Sequence, residues 1–415
     1  MTQPQPNNHT RAPLWRILTI TAVLSVGTGS ITQGLYFVAE ASCGFGRASQ
    51  FLLGVVMGLI YIPAALAAGP VIRSLDARGS RLAPRTLLIV LITFAGLIAL
   101  LPPALHRSGL DACWSIWLTA AAYSACTGLI WPIVEWYLSG GRKHAALRMA
   151  AGRFNIVWTS AIVACAWILA PFLERAPLDF LAVLAALHAA ALAVVLGLPP
   201  RPQPPLDDET PHPLAYERLL STARRLLPIS YVLMSALAPY LVGALAAIGV
   251  AIAWQPVVVS IWLVARVVTM ITLERWHGWH GSPAMLAVGA ATLTLGFAGC
   301  ILAPLAASLP LMAAALAVFG VGMGTIYTAA LYYALEVGGH SADAGGTHEA
   351  LIGAGYTAGP AIGLAAAIAV DSQAIPESGF SVAIVITAAA VCTLAYAAAS
   401  RLRTKTNQNN ENYNA

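Results

Sequence analysis

Three observations predict an all-α integral membrane protein of twelve transmembrane helices, arranged as two six-helix pseudo-symmetric bundles. The first is composition. The chain has 415 residues, 59% hydrophobic and only 9% charged, with a mean hydropathy of +0.75. A soluble domain carries roughly 25% charged residues. The second is one polar stretch, residues 198–225, with an acidic run (Asp207, Asp208, Glu209), several prolines and the basic pair Arg224 and Arg225. Charges and prolines at that density do not sit in hydrocarbon. The stretch therefore splits the chain into two apolar halves of nearly equal length. The third is the presence, in each half, of six apolar runs near the ~20 residues that a helix needs to cross a bilayer.

The elements follow in order. Residues 1–16 form a polar tail, expected to be cytoplasmic. No small-residue cleavage site closes the first apolar run, so it reads as a retained span and not a secretory leader. The runs of the first half are residues 17–39, 51–72, 86–105, 113–138, 153–173 and 179–198. Together they predict an N-terminal bundle over 17–198. A cytoplasmic linker is expected over 199–226. The runs at 227–252, 256–274, 284–304, 309–335, 350–370 and 380–400 predict a C-terminal bundle over 227–400. The Asn-rich segment 401–415 is expected to be a disordered cytoplasmic tail.

Basic residues set the orientation. Arg73, Arg78, Arg81 and Arg85, then Arg142, Lys143, Arg148 and Arg153, then the linker and C-terminal arginines all fall on one side. Only Arg47, Arg107 and Arg175 fall on the other. The bias places both termini and the linker in the cytoplasm, and it supports an even number of spans. The membrane expected is a plasma or bacterial inner membrane.

The halves show an internal repeat. Residues 130–137, IWPIVEWY, align with 326–333, IYTAALYY, at an offset that also sets Arg153 against Glu349. Between the second and third spans the chain reads Gly69-Pro-Val-Ile-Arg73-Ser-Leu-Asp76-Ala-Arg78-Gly79-Ser-Arg81. With the 6+6 layout and the central linker, this loop resembles the major facilitator superfamily. Its GxxxDxxGRR pattern is matched at Asp76, Gly79 and Arg81, with a longer spacing from Gly69. The resemblance covers 14–403.

The resemblance implies a secondary transporter of a small organic solute working by alternating access, driven by a proton or other ion gradient. The alternative is a non-transporting receptor or partner subunit on the same fold. The partners expected are a small-molecule substrate, a coupling ion (H+), the lipid bilayer and no nucleic acid, with the chain a monomer. The resemblance also implies a cytoplasmic gate built from Arg73, Asp76, Gly79, Arg81 and Glu135. In it, a carboxylate caps a helix N-terminus and Glu135 meets a loop arginine. Spans one, four, seven and ten would line a central cavity with Gln33, Tyr36, Tyr123, Trp131, Tyr240, Tyr327 and Tyr332. Some of these rings serve as packing or interfacial anchors.

Single residues add to this. Arg266 lies mid-span, where a charge costs at least ~2.5 kcal/mol and is usually functional. It can hold an anionic or polar substrate group, pair with an intramembrane carboxylate, or satisfy backbone carbonyls. Asn155, with Trp158, starts span five, and its amide needs partners, either a substrate or a neighbouring helix. His348 and Glu349 open span eleven as candidates for proton coupling, although Glu349 also suits a simple N-terminal cap. His188 reads as a hydrogen-bonded packing residue. Gly355, Gly359, Pro360 and Gly363 mark span eleven for close helix approach and a bend. The six cysteines show no metal or redox spacing and read mostly as small hydrophobes. No phosphate loop, HExxH or Cys/His cluster is present, so neither an enzyme nor a bound metal or cofactor is expected.

Overall fold

The computed structural model describes residues 11–77, 83–204, 213–337 and 342–393, without the side chains of 75–77, 144, 335 and 342–344. Ten of its helices are long and apolar enough to cross a membrane. They are α1 Leu14–Cys43, α2 Arg47–Ser74, α3 Pro84–Arg107, α4 Cys113–Ser139, α5 Ala145–Phe172, α7 Leu214–Ala247, α8 Ile252–Arg275, α9 Pro283–Ala306, α10 Leu309–Ala334 and α11 Gly345–Asp371. Two shorter apolar helices, α6 Asp179–Val195 and α12 Glu377–Thr393, stand in the sixth and twelfth places. The α10 helix continues to Val337.

Before the linker, α1 packs on α5 and α6, α2 on α4, and α3 on α4 and α6. After it, α7 packs on α9, α10 and α11, and α8 and α9 pack on α10. The two sets meet mainly along α2–α11 and α5–α8. Glycines permit the first of these seams. A Cβ on Gly58 would fall 2.5 Å from the Thr357 backbone nitrogen, and one on Gly346 would fall 2.6 Å from the Ala65 carbonyl. Small residues let two backbones touch where lipid supplies no hydrophobic drive.

The main departure from the sequence-based boundaries is α7, which starts at Leu214 and not near 227. Leu219, Leu220, Ala223 and Leu227 recur at helical spacing and are buried. An apolar stripe therefore continues the helix through what hydropathy alone reads as linker. The first part of the linker is also anchored. The Tyr137 hydroxyl donates to the carbonyls of Pro199 (2.9 Å) and Pro200 (3.1 Å), and Arg85 Nη1 donates to the Leu198 carbonyl (2.9 Å).

Arg142 fixes the same end of the bundle. It is only 2% exposed. Its guanidinium donates to the Leu138 (2.7 Å) and Tyr137 (3.1 Å) carbonyls at the end of α4, and to the Ala12 carbonyl (2.7 Å). These are the acceptors a helix C-terminus leaves over. Burial, with nearby Arg11, draws its pKa down to about 10, so it remains a cation. Arg142→Ala is expected to destabilise the protein by roughly 2–3 kcal/mol, the scale of charge-assisted hydrogen bonds. A thermal-denaturation midpoint unchanged from wild type would show that the carbonyls find water instead.

At the opposite end, Cys43 and Cys113 form a disulfide between the last residue of α1 and the first of α4. The sequence reading, which took the cysteines mostly as small hydrophobes with no redox spacing, did not foresee this bond. A sequence separation of 70 gives no spacing signal, and the two come together only because α1 and α4 end at the same face. Cys126, Cys165, Cys300 and Cys392 are free thiols. His188 behaves as expected. Its Nδ1 bonds the Leu184 carbonyl (2.8 Å), and its Nε2 accepts from the Tyr123 hydroxyl (2.9 Å).

Candidate functional site

The α1 helix carries a single π-turn, Ser30–Gly34. Such bulges occur often at functional sites. The turn lies beside a central cavity of about 50 Å3, walled by Thr28, Tyr36, Tyr61, Trp131, Glu135, Trp158, Tyr231, Tyr327, Glu349 and Tyr356 among others. That space suits a few waters and is small for an organic solute in this arrangement. Towards the linker face two larger cavities open. One, of about 380 Å3, is lined by Glu135, Phe154, Asn155, Arg224, Tyr327 and His348. The other, of about 400 Å3, lies between α5, α8 and α10 and is lined by Arg148, Asn155, Glu274, His280 and Tyr332.

Two charged features define the site. The first is a carboxyl pair. Glu135 on α4 and Glu349 on α11 both line the central cavity, and the Tyr61 hydroxyl on α2 donates to Glu349. Glu349 is 7% exposed. Two carboxylates facing one cavity repel, and a proton held between them relieves that repulsion. Glu135 lines both the central and a linker-side cavity, so the pair forms part of the wall between them. The Glu135 of the expected gate thus shares the central cavity with Glu349.

The second feature is Arg266, 1% exposed in the middle of α8. Its guanidinium carbon lies 4.5 Å from the Trp158 ring centroid and 4.7 Å from that of Tyr327. Those rings stack at 5.6 Å and 22°. Its Nε and Nη2 are buried without a partner. Among the described residues, then, no carboxylate bonds these two atoms. Tyr231 and Tyr356 pack edge to face at 5.6 Å, and Tyr356 and Tyr61 at 5.7 Å. This aromatic chain links the cation to the carboxyl pair around the cavity.

The other predicted residues divide. Tyr36, Tyr123, Trp131, Trp158 and Tyr327 line the central cavity, with Trp131 Nε1 donating to Thr28 Oγ1 at 3.3 Å. Asn155 lines both linker-side cavities, and its Oδ1 is buried without a partner. His348 lines the 380 Å3 cavity, and its Nε2 has no partner.

Three expectations of cavity lining are corrected. Gln33 faces a separate small void with Phe37, Cys165 and Leu263, because the π-turn shifts the register after Ser30. Tyr240 donates to the Ile301 carbonyl (2.8 Å), lies 3.0 Å from Ser381 Oγ and stacks on Phe380, so its hydroxyl is used in packing. Tyr332 stacks on His280 at 4.2 Å and contacts the Tyr216 hydroxyl at 3.3 Å, outside the central cavity. Of the expected loop gate, Arg73 is exposed. The Asp76 side chain, Gly79 and Arg81 lie outside the described residues.

Each face instead carries an ion pair between helices from opposite sides of the linker. Arg148 on α5 bonds Glu336 at the end of α10 (2.6 Å). At the far face Arg47 on α2 bonds Glu377 at the start of α12. Sequence reasoning passed over Tyr61, Tyr231 and Tyr356. Their one available signal was a tyrosine inside an otherwise apolar run.

No family model and no curated protein matches the chain. Solved structures do. The chain is similar to nucleoside transporter NupG (14% identity, TM-score 0.62, covering 93% of this chain and 98% of that one) and to a point mutant of it (15%, 0.63, 93% and 100%). It is also similar to a bacterial homologue of the human lysosomal transporter Spinster, captured inward-facing and unoccupied (12%, 0.64, 93% and 96%). At these identities the likeness concerns the fold. The chain is a multi-pass membrane protein with the major facilitator fold.

Proposed function

We propose that the chain is a secondary transporter that moves a small organic solute by alternating access and couples that movement to protons. One observation carries the reading. Glu135 and Glu349 come from opposite sides of the linker and face the same central cavity, with the Tyr61 hydroxyl donating to Glu349. A change of protonation there bears directly on whether the two sides of the fold stay together. The similar structures are of transporters, which supports the reading. The basic-residue bias supports a cytoplasmic linker and cytoplasmic termini in a plasma or bacterial inner membrane. The Cys43–Cys113 disulfide at the opposite face fits an oxidising compartment there. The chain is read as a monomer.

The test is flux into proteoliposomes under an inward acid gradient, with a trapped pH dye reporting proton entry during a solute screen. A solute that accumulates and collapses the gradient is the expected result. Binding without movement under any imposed gradient would instead establish a receptor.

Alternating access needs the linker-face ion pair to break. Arg148 is 42% and Glu336 19% exposed, and such pairs contribute about 0.2–1 kcal/mol. Arg148→Ala is expected to raise the population open at the linker face by roughly 1.5- to 5-fold. Accessibility of a cysteine placed at Ala151 would report it, and unchanged labelling would remove the pair from the gate. Acid acts nearby. Burial, then His277, holds His280 below its usual pKa, so the neutral ring can accept from Tyr332 (3.3 Å). That contribution is complete above the ordinary histidine pKa and is lost as pH falls through the depressed one.

A further inference from the structure

Among the described residues Arg266 is a buried cation that no carboxylate bonds, and it sits against an aromatic stack that joins the two sides of the central cavity. We infer that it is the receptor for an organic anion, a carboxylate carried on a flat aromatic body. This rests on the transporter reading and names the substrate class for the same cavity.

Three features argue for it. The guanidinium is 1% exposed, and two of its nitrogens, Nε and Nη2, are buried without an acceptor. These two lie on one edge of the guanidinium fork. An adjacent pair of N–H groups on that edge matches the two oxygens of a carboxylate. The packing arginine Arg142 spends Nη1 and Nη2 on backbone carbonyls and leaves only Nε unpartnered, whereas Arg266 leaves both donors of one edge unpartnered.

The aromatic body follows from the rings. Trp158 belongs to α5 and Tyr327 to α10, on opposite sides of the linker, and both line the central cavity. Their planes differ by 22° and their centroids lie 5.6 Å apart. A flat ring inserted between two others needs roughly 7 Å, twice the usual contact distance. A separation of little over an ångström between the sides therefore makes room for one ring, with its carboxylate under Arg266. Tyr327 also lines the 380 Å3 linker-side cavity, which gives the solute a route in. In the closed arrangement, Trp158 and Tyr327 hold the cation by its attraction to their faces. The anion replaces that interaction with a stronger one.

The test uses the purified full chain at neutral pH and radiolabelled benzoate as probe, with benzamide as neutral competitor and hexanoate as non-aromatic carboxylate. Wild type is expected to bind benzoate. Arg266→Gln should weaken that binding roughly ten- to hundredfold, the scale of a paired, charge-assisted contact. Arg266→Lys, which keeps charge without the fork, should fall between. Hexanoate should compete less well than benzoate, and benzamide least. Without ligand, Arg266→Gln should melt no lower than wild type, since it removes an unpaired buried charge.

Equal benzoate binding by wild type and Arg266→Gln, equal competition by benzamide, or no benzoate binding at all would each overturn the inference. So would a destabilised Arg266→Gln with binding intact, the mark of a structural arginine. Competition by hexanoate equal to benzoate would overturn the aromatic part. The assay needs no flux. A failure here with proton-coupled movement of another solute sinks the substrate class alone. Binding here without flux sinks the transporter reading alone.

Discussion

Glu349→Gln, and equally Glu135→Gln, is expected to abolish accumulation driven by a pH gradient, by at least about tenfold, while leaving solute exchange within about threefold of wild type. Both carboxyls face the central cavity, one from α4 and one from α11, and a single proton lets such a pair bond. Without it two negative charges face each other in a poorly solvated wall, where repulsion is far stronger than in water. The protonated pair thus fastens the two sides, and the deprotonated pair drives them apart. A glutamine imitates the protonated acid in shape and donor capacity and cannot lose its proton. The variant can bind and exchange solute through states that do not titrate, but it has no step at which a proton gradient enters the cycle. Counterflow against gradient-driven uptake, in the same liposomes, separates the two. Loss of a protonated-carboxyl band from infrared difference spectra in both variants would place the proton on this pair. Uptake that still follows the imposed gradient in both single variants would move the coupling elsewhere, with His348, whose Nε2 is unpartnered, the next residue to examine.

What was legible in the sequence depended on contrast. Arg266 stands out because a charge in an apolar run is costly wherever it sits, so it could be singled out without knowing its neighbours, whereas Glu349, at the opening of its span, suited a simple helix cap as well. The meeting of Glu349 with Glu135 in one cavity could not be read. It joins α4 to α11, and no periodicity encodes which helix faces meet at that distance in the chain. The tyrosines show the same limit. Tyr327 lines the cavity and Tyr240 does not, although both lie in the spans expected to line it. Residue type gives an aromatic's amphipathic character but not the direction it points, and Tyr240 has Ile301 and Ser381 to satisfy its hydroxyl. Gln33 was displaced by a local feature, the π-turn at Ser30–Gly34, that rotates a helix face without leaving a mark in hydropathy. Cys43 and Cys113 met because two helices end together, which only the fold decides.

Gly320→Ala is expected to be the most damaging single-methyl change in the chain's second half, and Gly243→Ala a harmless or stabilising one. On Gly320 of α10 the added Cβ would fall 2.1 Å from the Trp262 carbonyl oxygen and 2.8 Å from its carbon. Both atoms are backbone of α8, so no side-chain rotation makes room and the helices must separate. Overpacking of this kind costs about 1–3 kcal/mol, occasionally more. The separation would also act on the site. One turn further along, a Cβ on Gly324 would lie 3.0 Å from the Arg266 carbonyl oxygen. The same close approach therefore sets the height of Arg266 against Tyr327. Loss of stability should come with loss of benzoate binding even though neither Arg266 nor Trp158 is changed. At Gly243, near the end of α7, an added Cβ meets nothing within 4 Å. Alanine there only reduces the freedom of the unfolded chain, a gain of roughly 0.4–1 kcal/mol. Thermal denaturation of the two purified variants measures the contrast. Equal midpoints would mean that α8 and α10 are not held at this distance, and the position of Arg266 would then need another cause.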